Sequence, residues 1–214
     1  MSKIFVIGFP KAGTSSIEYA CKCAGLKALH WAKYNLRRSE MHFCHVFRHH
    51  MPASSVGMLI KMAKEDGLPL LYYLSGFDAF TQMDVSLSDK LSYWPQLVDV
   101  PLLDQQYPNS KFIFNTRPMH KWISSVNRWG NMKQRLTRLD LPGLPKGVGS
   151  KDEELVAWNH WHMNNMLDYF TGHEEKLLVF DIENDDPIKL ANFIGIQNIV
   201  WEQKNKNKRN PEKA

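Results

Sequence analysis

The sequence lacks any apolar run close to the ~20 residues that a membrane-crossing helix needs. Its N-terminal apolar run, residues 4–7, is too short for a signal peptide and leads directly into a turn. Because the first predicted core strand begins at residue 3, we expect no room for a stalk or anchor before it. The sequence therefore predicts a protein without a membrane span.

Cysteine is also scarce, with only Cys21, Cys23 and Cys44 among 214 residues. Their odd number and their spacing match no zinc-binding motif. Cys21 and Cys23 lie too close together along a predicted helix to form a disulfide with each other. A chain without a disulfide framework is typical of a reducing compartment, so we expect a cytoplasmic location.

A third absence concerns the lysine that ends a nucleotide-triphosphate-binding loop. Gly8 and Gly13 keep the G-x-x-x-x-G spacing, but Thr14 stands where that motif has its lysine, and the loop carries Lys11 instead. A short strand, a glycine turn and a helix start still predict a phosphate-binding loop, because backbone N–H groups and the helix dipole converge on an anion. The displaced lysine points away from magnesium-dependent phosphoryl transfer and towards another phosphate-bearing donor.

The length and charge of the chain indicate how many domains it forms and what charge a partner carries. The chain is long enough for one domain with a full core, and it shows no internal repeat. A net charge of +5 and a pI near 9.0 suit an anionic partner, although a basic C-terminal segment supplies part of the excess. We predict one domain over residues 1–198 and a flexible basic tail over 199–214.

Short apolar clusters alternate with helical patterns along the chain. This alternation predicts an α/β fold, a single domain with a central parallel sheet flanked by helices. The predicted strands are residues 3–8, 26–31, 77–82, 111–117 and 176–181. The predicted helices are residues 14–24, 54–65, 68–75, 89–106, a segment that starts at Pro118, a segment that follows Ser150, and 187–194.

Two of these helices have further predicted features. Trp122, Val126 and Trp129 recur at i, i+4 and i+7 and predict a buried stripe on the helix after Pro118. Ser150 and Glu153 predict a capping box at the start of the next helix. One face of that helix carries Leu155, Trp158, His162, Met166 and Tyr169. We therefore expect His162 to pack in the core.

A second anion site is predicted at Arg117, which ends the strand at 111–117. Ligands of open parallel sheets bind beyond the carboxyl ends of the strands, so Arg117 and the loop at 8–16 should share one edge. The planar fork of arginine suits a terminal phosphate, and Ser125, eight residues later, can add a hydroxyl donor. Two separate phosphate sites predict a ligand with phosphates at two well-separated positions.

These motifs resemble those of sulfotransferases that use 3′-phosphoadenosine 5′-phosphosulfate (PAPS), and the likeness spans most of residues 3–195. The family loop has the form P-K-[SAT]-G-T-[ST], which Pro10, Lys11, Ala12, Gly13, Thr14 and Ser15 match. The resemblance implies the sulfotransferase variant of the P-loop NTPase architecture. It implies that these loop residues, together with Ser16, bind the 5′-phosphosulfate group, and that Arg117 and Ser125 hold the 3′-phosphate.

The resemblance also implies a metal-independent mechanism. An acceptor hydroxyl or amine attacks sulfur in line, and Lys11 and the loop N–H groups stabilise the charge on the leaving phosphate. For the base that takes the acceptor proton, the candidates are His30 at the end of a strand, then Asp84, then Glu18. The aromatic, Met-rich stretch of residues 31–94 is expected to line the pocket of a small-molecule or carbohydrate acceptor. No nucleic-acid partner is expected.

The sequence departs from the family in one respect. It has no R-K-G-x-x-G-x-W-K segment of the kind that closes many PAPS sites, and residues 144–150 are the candidate replacement. Two other functions stay open at this point. One is a small-molecule or nucleotide kinase of the P-loop class, against which the displaced lysine counts. The other is a non-catalytic descendant that binds PAPS without transferring its sulfuryl group.

Overall fold

The computed structural model describes residues 2–34, 36, 44, 46–48, 51–88 and 91–204. The strands are β1 (Ile4–Val6), β2 (Ala28–His30), β3 (Ala32–Tyr34), β4 (Val46–Arg48), β5 (Met51–Ser55), β6 (Ala79–Gln82), β7 (Val85–Ser88), β8 (Leu91–Tyr93), β9 (Lys111–Thr116) and β10 (Leu177–Asp181). The helices are α1 (Thr14–Cys23), α2 (Val56–Glu65), α3 (Pro95–Val98), α4 (Val100–Gln106), α5 (Met119–Asn127), α6 (Met132–Arg138), α7 (Asp152–Tyr169) and α8 (Pro187–Ile194). Among the described residues, short 3₁₀ turns lie at Tyr72–Leu74 and Glu174–Lys176.

Five parallel strands form the central sheet, in the order β10-β9-β1-β6-β2. The strand β1 lies in the middle because the chain first builds outwards to β2 on one side and later crosses to β9 on the other. That reversal is the switch point at which open α/β sheets bind ligands. The predicted α/β fold with a central parallel sheet is confirmed, and the loop after β1 emerges at the switch point.

Both faces of the sheet are covered. Successive side chains of a strand point to opposite faces, and those of β1 are all apolar, so each face needs a layer that buries it. On β1, Phe5 points into a core with α2, α4 and α7, whereas Ile4 and Val6 point into a core with α1 and α8. A third cluster surrounds Phe9 beneath the loop after β1, where the Phe9 ring stacks 4.1 Å from that of Trp158. The base of the loop is therefore anchored in an aromatic core.

Residues between the sheet strands depart from the prediction. The segment predicted to be helical at 89–106 contains strand β8, which pairs antiparallel with β7, before α3 and α4 begin. Of the helix predicted at 68–75, only the 3₁₀ turn at Tyr72–Leu74 forms. A three-stranded antiparallel sheet in the order β3-β5-β4 was not predicted. The strands β4, β5, β7 and β8 are only three to five residues long, too short to show a clear alternating period in the sequence.

Two predictions about helices are wrong because the residues concerned lie one or two positions away from where they were expected. Helix α5 ends at Asn127, so Trp129 lies beyond it and is 49% exposed instead of completing a buried stripe. The carboxylate that accepts from backbone N–H groups at the start of α7 belongs to Glu154, not Glu153. On the same helix Tyr169 is partly exposed, whereas His162 is buried as predicted.

The described C-terminal residues pack against the domain. The ring of Trp201 meets that of Phe180 edge-on, with 5.5 Å between centroids, and Ile199 packs against the same core cluster. The backbone N–H of Lys204 donates to Ser16 Oγ at 2.9 Å. Residues 205–214 of the predicted tail lie outside the described residues.

Candidate active site

The loop after β1 is held from behind by side chains that donate to its carbonyl groups. The hydrogen bonds are His162 Nε2 to Ile7 O (2.7 Å), Asn115 Nδ2 to Phe9 O (3.1 Å) and Ala12 O (2.8 Å), Trp122 Nε1 to Pro10 O (3.0 Å), and Arg117 Nη1 to Lys11 O (3.3 Å). Burial lowers the pKa of His162 to about 4, so its ring is neutral and can donate from Nε2 only in one tautomer. These donors fix which way the peptide units of the loop face.

The N–H groups of the loop remain available for an anion. Within the described part of the chain, no group accepts a hydrogen bond from the backbone N–H of residues 11–14. Lys11 and Gly13 have positive φ angles of 70° and 82°, the kind of left-handed conformation that gathers successive N–H groups into an anion-binding concavity. Gly13 is further required because a Cβ there would lie 2.6 Å from the Ile182 side chain.

The ammonium of Lys11 lies 3.6 Å from the centroid of the Trp129 ring. Burial, together with the positive charges of Arg117 and Arg128, lowers the pKa of Lys11 to about 8. A cluster of three cations without an equal number of local anions favours a bound anion. Arg128 follows α5 directly, three residues after Ser125, and sequence reasoning missed it because no motif includes it.

Arg117 lies immediately after β9, next to the loop. Its Nη2 pairs with Glu183 and its Nη1 donates to the Lys11 carbonyl, whereas its buried Nε has no hydrogen-bond partner among the residues that the structure describes. Ser125 is buried on α5 and lines the same cavity as Arg117. The structure therefore brings together the two residues predicted for a second phosphate, with one nitrogen of the arginine already engaged by a carboxylate.

The three hydroxyl residues that open α1 have different neighbours. Thr14 Oγ1 donates to Gln82 Oε1 at 3.4 Å, and Ser15 Oγ lies 3.4 Å from His30 Nε2. Ser16 is 1% exposed and accepts the N–H of Lys204. Thr14 and Ser15 are thus oriented towards the strand ends of β2 and β6, whereas Ser16 faces the C-terminal segment.

A cavity of about 780 Å³ unites these groups at the carboxyl edge of the sheet. This volume is typical of a small-molecule site. Of the nine residues predicted to bind the donor, all but the buried Ala12 line the cavity. The predicted catalytic residues Lys11, His30 and Asp84 also line it, and so does Glu18. Residues 144–150, the candidate closing segment, do not; Gly143, next to them, packs against the ring of Trp161 instead.

The candidate bases differ in their surroundings. Asp84 is 6% exposed, and it accepts weak hydrogen bonds from Gln82 and Gln96, both at 3.4 Å. Burial raises the pKa of Asp84 to about 6 despite these donors and the charge of Arg135. His30 Nδ1 lies 3.2 Å from Thr81 Oγ1. Glu18 forms an i, i+4 ion pair with Lys22 on α1, so its carboxylate already has a cationic partner.

Much of the remaining cavity wall comes from residues 31–94, the stretch that the sequence was expected to contribute to an acceptor pocket. Trp31, Tyr34 and Leu87 supply apolar and aromatic surface. Trp31 has a positive φ of 60°, rare for a bulky residue, and its N–H donates to the Gln82 carbonyl. Arg135 and Lys204 also line the cavity, so cations occur on two sides of it.

Comparison with known families agrees with this geometry. The model of the sulfotransferase domain matches residues 3–177. The chain belongs to the sulfotransferase family. The match runs from β1 to the first residue of β10, and it includes the anion-binding loop, His30, Asp84, Arg117 and Ser125. No curated protein matches the chain.

Two further findings concern the described residues as a whole. They contain no group of three or more His, Cys, Asp or Glu side chains arranged to hold a metal ion. No helix among them is both long and apolar enough to cross a membrane.

Proposed function

We propose that this sulfotransferase moves a sulfuryl group from PAPS to a hydroxyl or amine of a small-molecule or carbohydrate acceptor. The observation that carries the proposal is the loop after β1. Its carbonyls are held from behind while the N–H groups of residues 11–14 and the Lys11 ammonium remain available at the cavity. Arg117 and Ser125 line the same cavity and supply groups for a second phosphate.

In this proposal the acceptor oxygen or nitrogen attacks sulfur, and the bond from sulfur to the bridging oxygen breaks. The electron pair goes to the 5′-phosphate, which leaves as part of adenosine 3′,5′-bisphosphate. Lys11 and the loop N–H groups stabilise that charge. Asp84 takes the acceptor proton, because its buried carboxyl has a pKa of about 6 and is therefore ionised and basic near neutral pH. His30 is the second candidate for this step.

The direct test is isothermal titration with adenosine 3′,5′-bisphosphate. We expect micromolar binding to the unmodified protein. Lys11→Ala and Arg117→Ala should each weaken it by about 10–100-fold, since a hydrogen bond to a charged group contributes roughly 1.5–3 kcal/mol. Arg138→Ala, an exposed arginine at the end of α6 that does not line the cavity, is the matched control. No binding by the unmodified protein would overturn the proposal.

Turnover separates the other two functions. A labelled-PAPS assay over a panel of phenols, sugars and amines should give a sulfated product. Tight bisphosphate binding with no product from any acceptor would favour a non-catalytic protein. Magnesium-dependent ATP turnover that the bisphosphate does not inhibit would favour a kinase.

A further inference from the structure

Arg117, proposed above to hold the donor's 3′-phosphate, already has an anionic partner. Its Nη2 pairs with the carboxylate of Glu183. Both side chains are largely removed from solvent, at 17% exposure for Arg117 and 11% for Glu183. The pair is therefore weakly screened and contributes more than an exposed ion pair.

Glu183 is held in place by a turn and by a second cation. Its backbone N–H donates to Asp181 Oδ1 at 2.9 Å in the turn that follows β10, and its other carboxylate oxygen pairs with Lys121 of α5. Burial alone would raise the pKa of Glu183, but the hydrogen bonds from Lys121 and Arg117 hold it below its ordinary value. The side chain is thus an ionised carboxylate at neutral pH.

We propose that Glu183 is a built-in counter-ion of Arg117 that competes with the donor's 3′-phosphate, and so sets how strongly the site holds 3′-phosphorylated nucleotides. This inference rests on the function proposed above. A phosphate and a carboxylate that approach the same guanidinium repel each other, and the low exposure of the pair leaves that repulsion poorly screened. The phosphate must therefore displace Glu183 or share Arg117 at a cost.

Lys121 lowers the cost of replacing Glu183 by a phosphate as the partner of Arg117. When Arg117 turns to a phosphate, the Glu183 carboxylate keeps its contact with the Lys121 ammonium, which is 49% exposed. No buried charge is left without a partner, which is the expensive outcome for an ion pair. The consequence is a moderated hold on the bisphosphate product, which must leave before the next turnover. Glu183 lies beyond residue 177, where the match to the family model ends.

The test compares two nucleotides that differ only at the 3′ position. We expect Glu183→Gln to bind adenosine 3′,5′-bisphosphate about tenfold more tightly by isothermal titration, about 1.4 kcal/mol. Its affinity for adenosine 5′-monophosphate should not change, because that ligand has no group for Arg117. Glu175→Gln, an exposed carboxylate 67% accessible, controls for the lost charge. Weaker or unchanged bisphosphate binding by Glu183→Gln would overturn the inference.

Lys121→Met provides an independent arm. With Lys121 removed, Glu183 has only Arg117, so bisphosphate affinity should fall, whereas in a Glu183→Gln background the same change should have no effect. An equal loss in both backgrounds would show that Lys121 binds the phosphate itself and would overturn the exchange. If the unmodified protein does not bind the bisphosphate, the proposed function fails. Binding that is insensitive to Glu183 defeats only this inference.

Discussion

At the scale of single residues, Asp84 and His162 are two buried titratable groups with opposite effects on stability. Burial raises the pKa of Asp84 to about 6 and lowers that of His162 to about 4. Between pH 4 and 6 the folded protein binds more protons than the unfolded chain at Asp84 and fewer at His162. Stability therefore falls with rising pH through Asp84 and rises through His162, so the two contributions partly cancel in the unmodified protein.

Replacing Asp84 by Asn should remove the contribution of Asp84 to the pH dependence of stability and so reveal its size. The buried charge of Asp84 costs stability only above its ordinary pKa of 3.8, and the full cost is reached above about 6. We expect the free energy of unfolding of Asp84→Asn, relative to the unmodified protein, to grow by roughly 2–3 kcal/mol from pH 4 to 7.5. Urea titrations at several pH values measure it. A constant difference would show that Asp84 has an ordinary pKa.

The same variant tests the proposed proton acceptor. Loss of a general base costs about 10²–10⁴ in rate, so Asp84→Asn should lose activity while it gains stability at pH 7.5. The parallel variant His30→Gln should keep the acidic limb of the pH–rate profile near pH 6. If that limb disappears in His30→Gln and persists in Asp84→Asn, His30 is the base.

At the scale of elements, the sequence predicted the parts of the site whose signals are local. Strand β1, the glycine turn and α1 follow one another directly, and Arg117 and Ser125 are separated only by the start of α5. The hairpin β7–β8 could not be predicted in this way, because its short strands pack against α2 and α6, which lie far from it in the sequence. In the sequence, Trp129 continues the helical period of Trp122 and Val126. The helix ends two residues earlier, however, and the Trp129 ring contacts the Lys11 ammonium instead.

Strand β9 contributes more to the loop than its terminal arginine. Asn115 donates to the carbonyls of Phe9 and Ala12, a role that no sequence pattern indicates because the partners are more than 100 residues apart. Gly8 must be glycine because the loop approaches β9 closely: a Cβ at residue 8 would lie 2.3 Å from the Asn115 carbonyl oxygen. The strand therefore positions the loop that we propose binds the donor.

We expect Asn115→Ala to weaken both stability and binding without removing any group that contacts the ligand. Two buried carbonyls would lose their donor, at a cost of about 2–3 kcal/mol in the free energy of unfolding. Misplaced loop N–H groups should weaken bisphosphate binding about tenfold. Denaturant titration and calorimetry measure the two effects. Asn127→Ala, whose amide contacts Asp152 at the surface, is the control; equal effects of both variants would contradict the positioning role.

At the scale of the whole molecule, the cavity wall combines parts of the chain that are far apart in sequence. The loop after β1, the junction of α5 and α6, and residues 203–204 all line it. The C-terminal contribution depends on Trp201 against Phe180 and on the hydrogen bond from Lys204 to Ser16. Sequence composition placed a flexible tail from residue 199, because charged, polar residues dominate it and a single tryptophan gives no periodic signal.

Two truncations determine where the functional unit ends. A chain that stops at residue 204 keeps all of these contacts, so its bisphosphate affinity and melting temperature should match those of the full chain. A chain that stops at residue 198 loses Trp201 and the wall formed by Gln203 and Lys204. Loss of a partly buried tryptophan and its neighbours should cost about 1–3 kcal/mol, or about 2–4 °C in melting temperature per kcal/mol for a chain of this size. Calorimetry and thermal unfolding of both chains decide the point, because identical behaviour would place the end of the domain at the predicted residue 198.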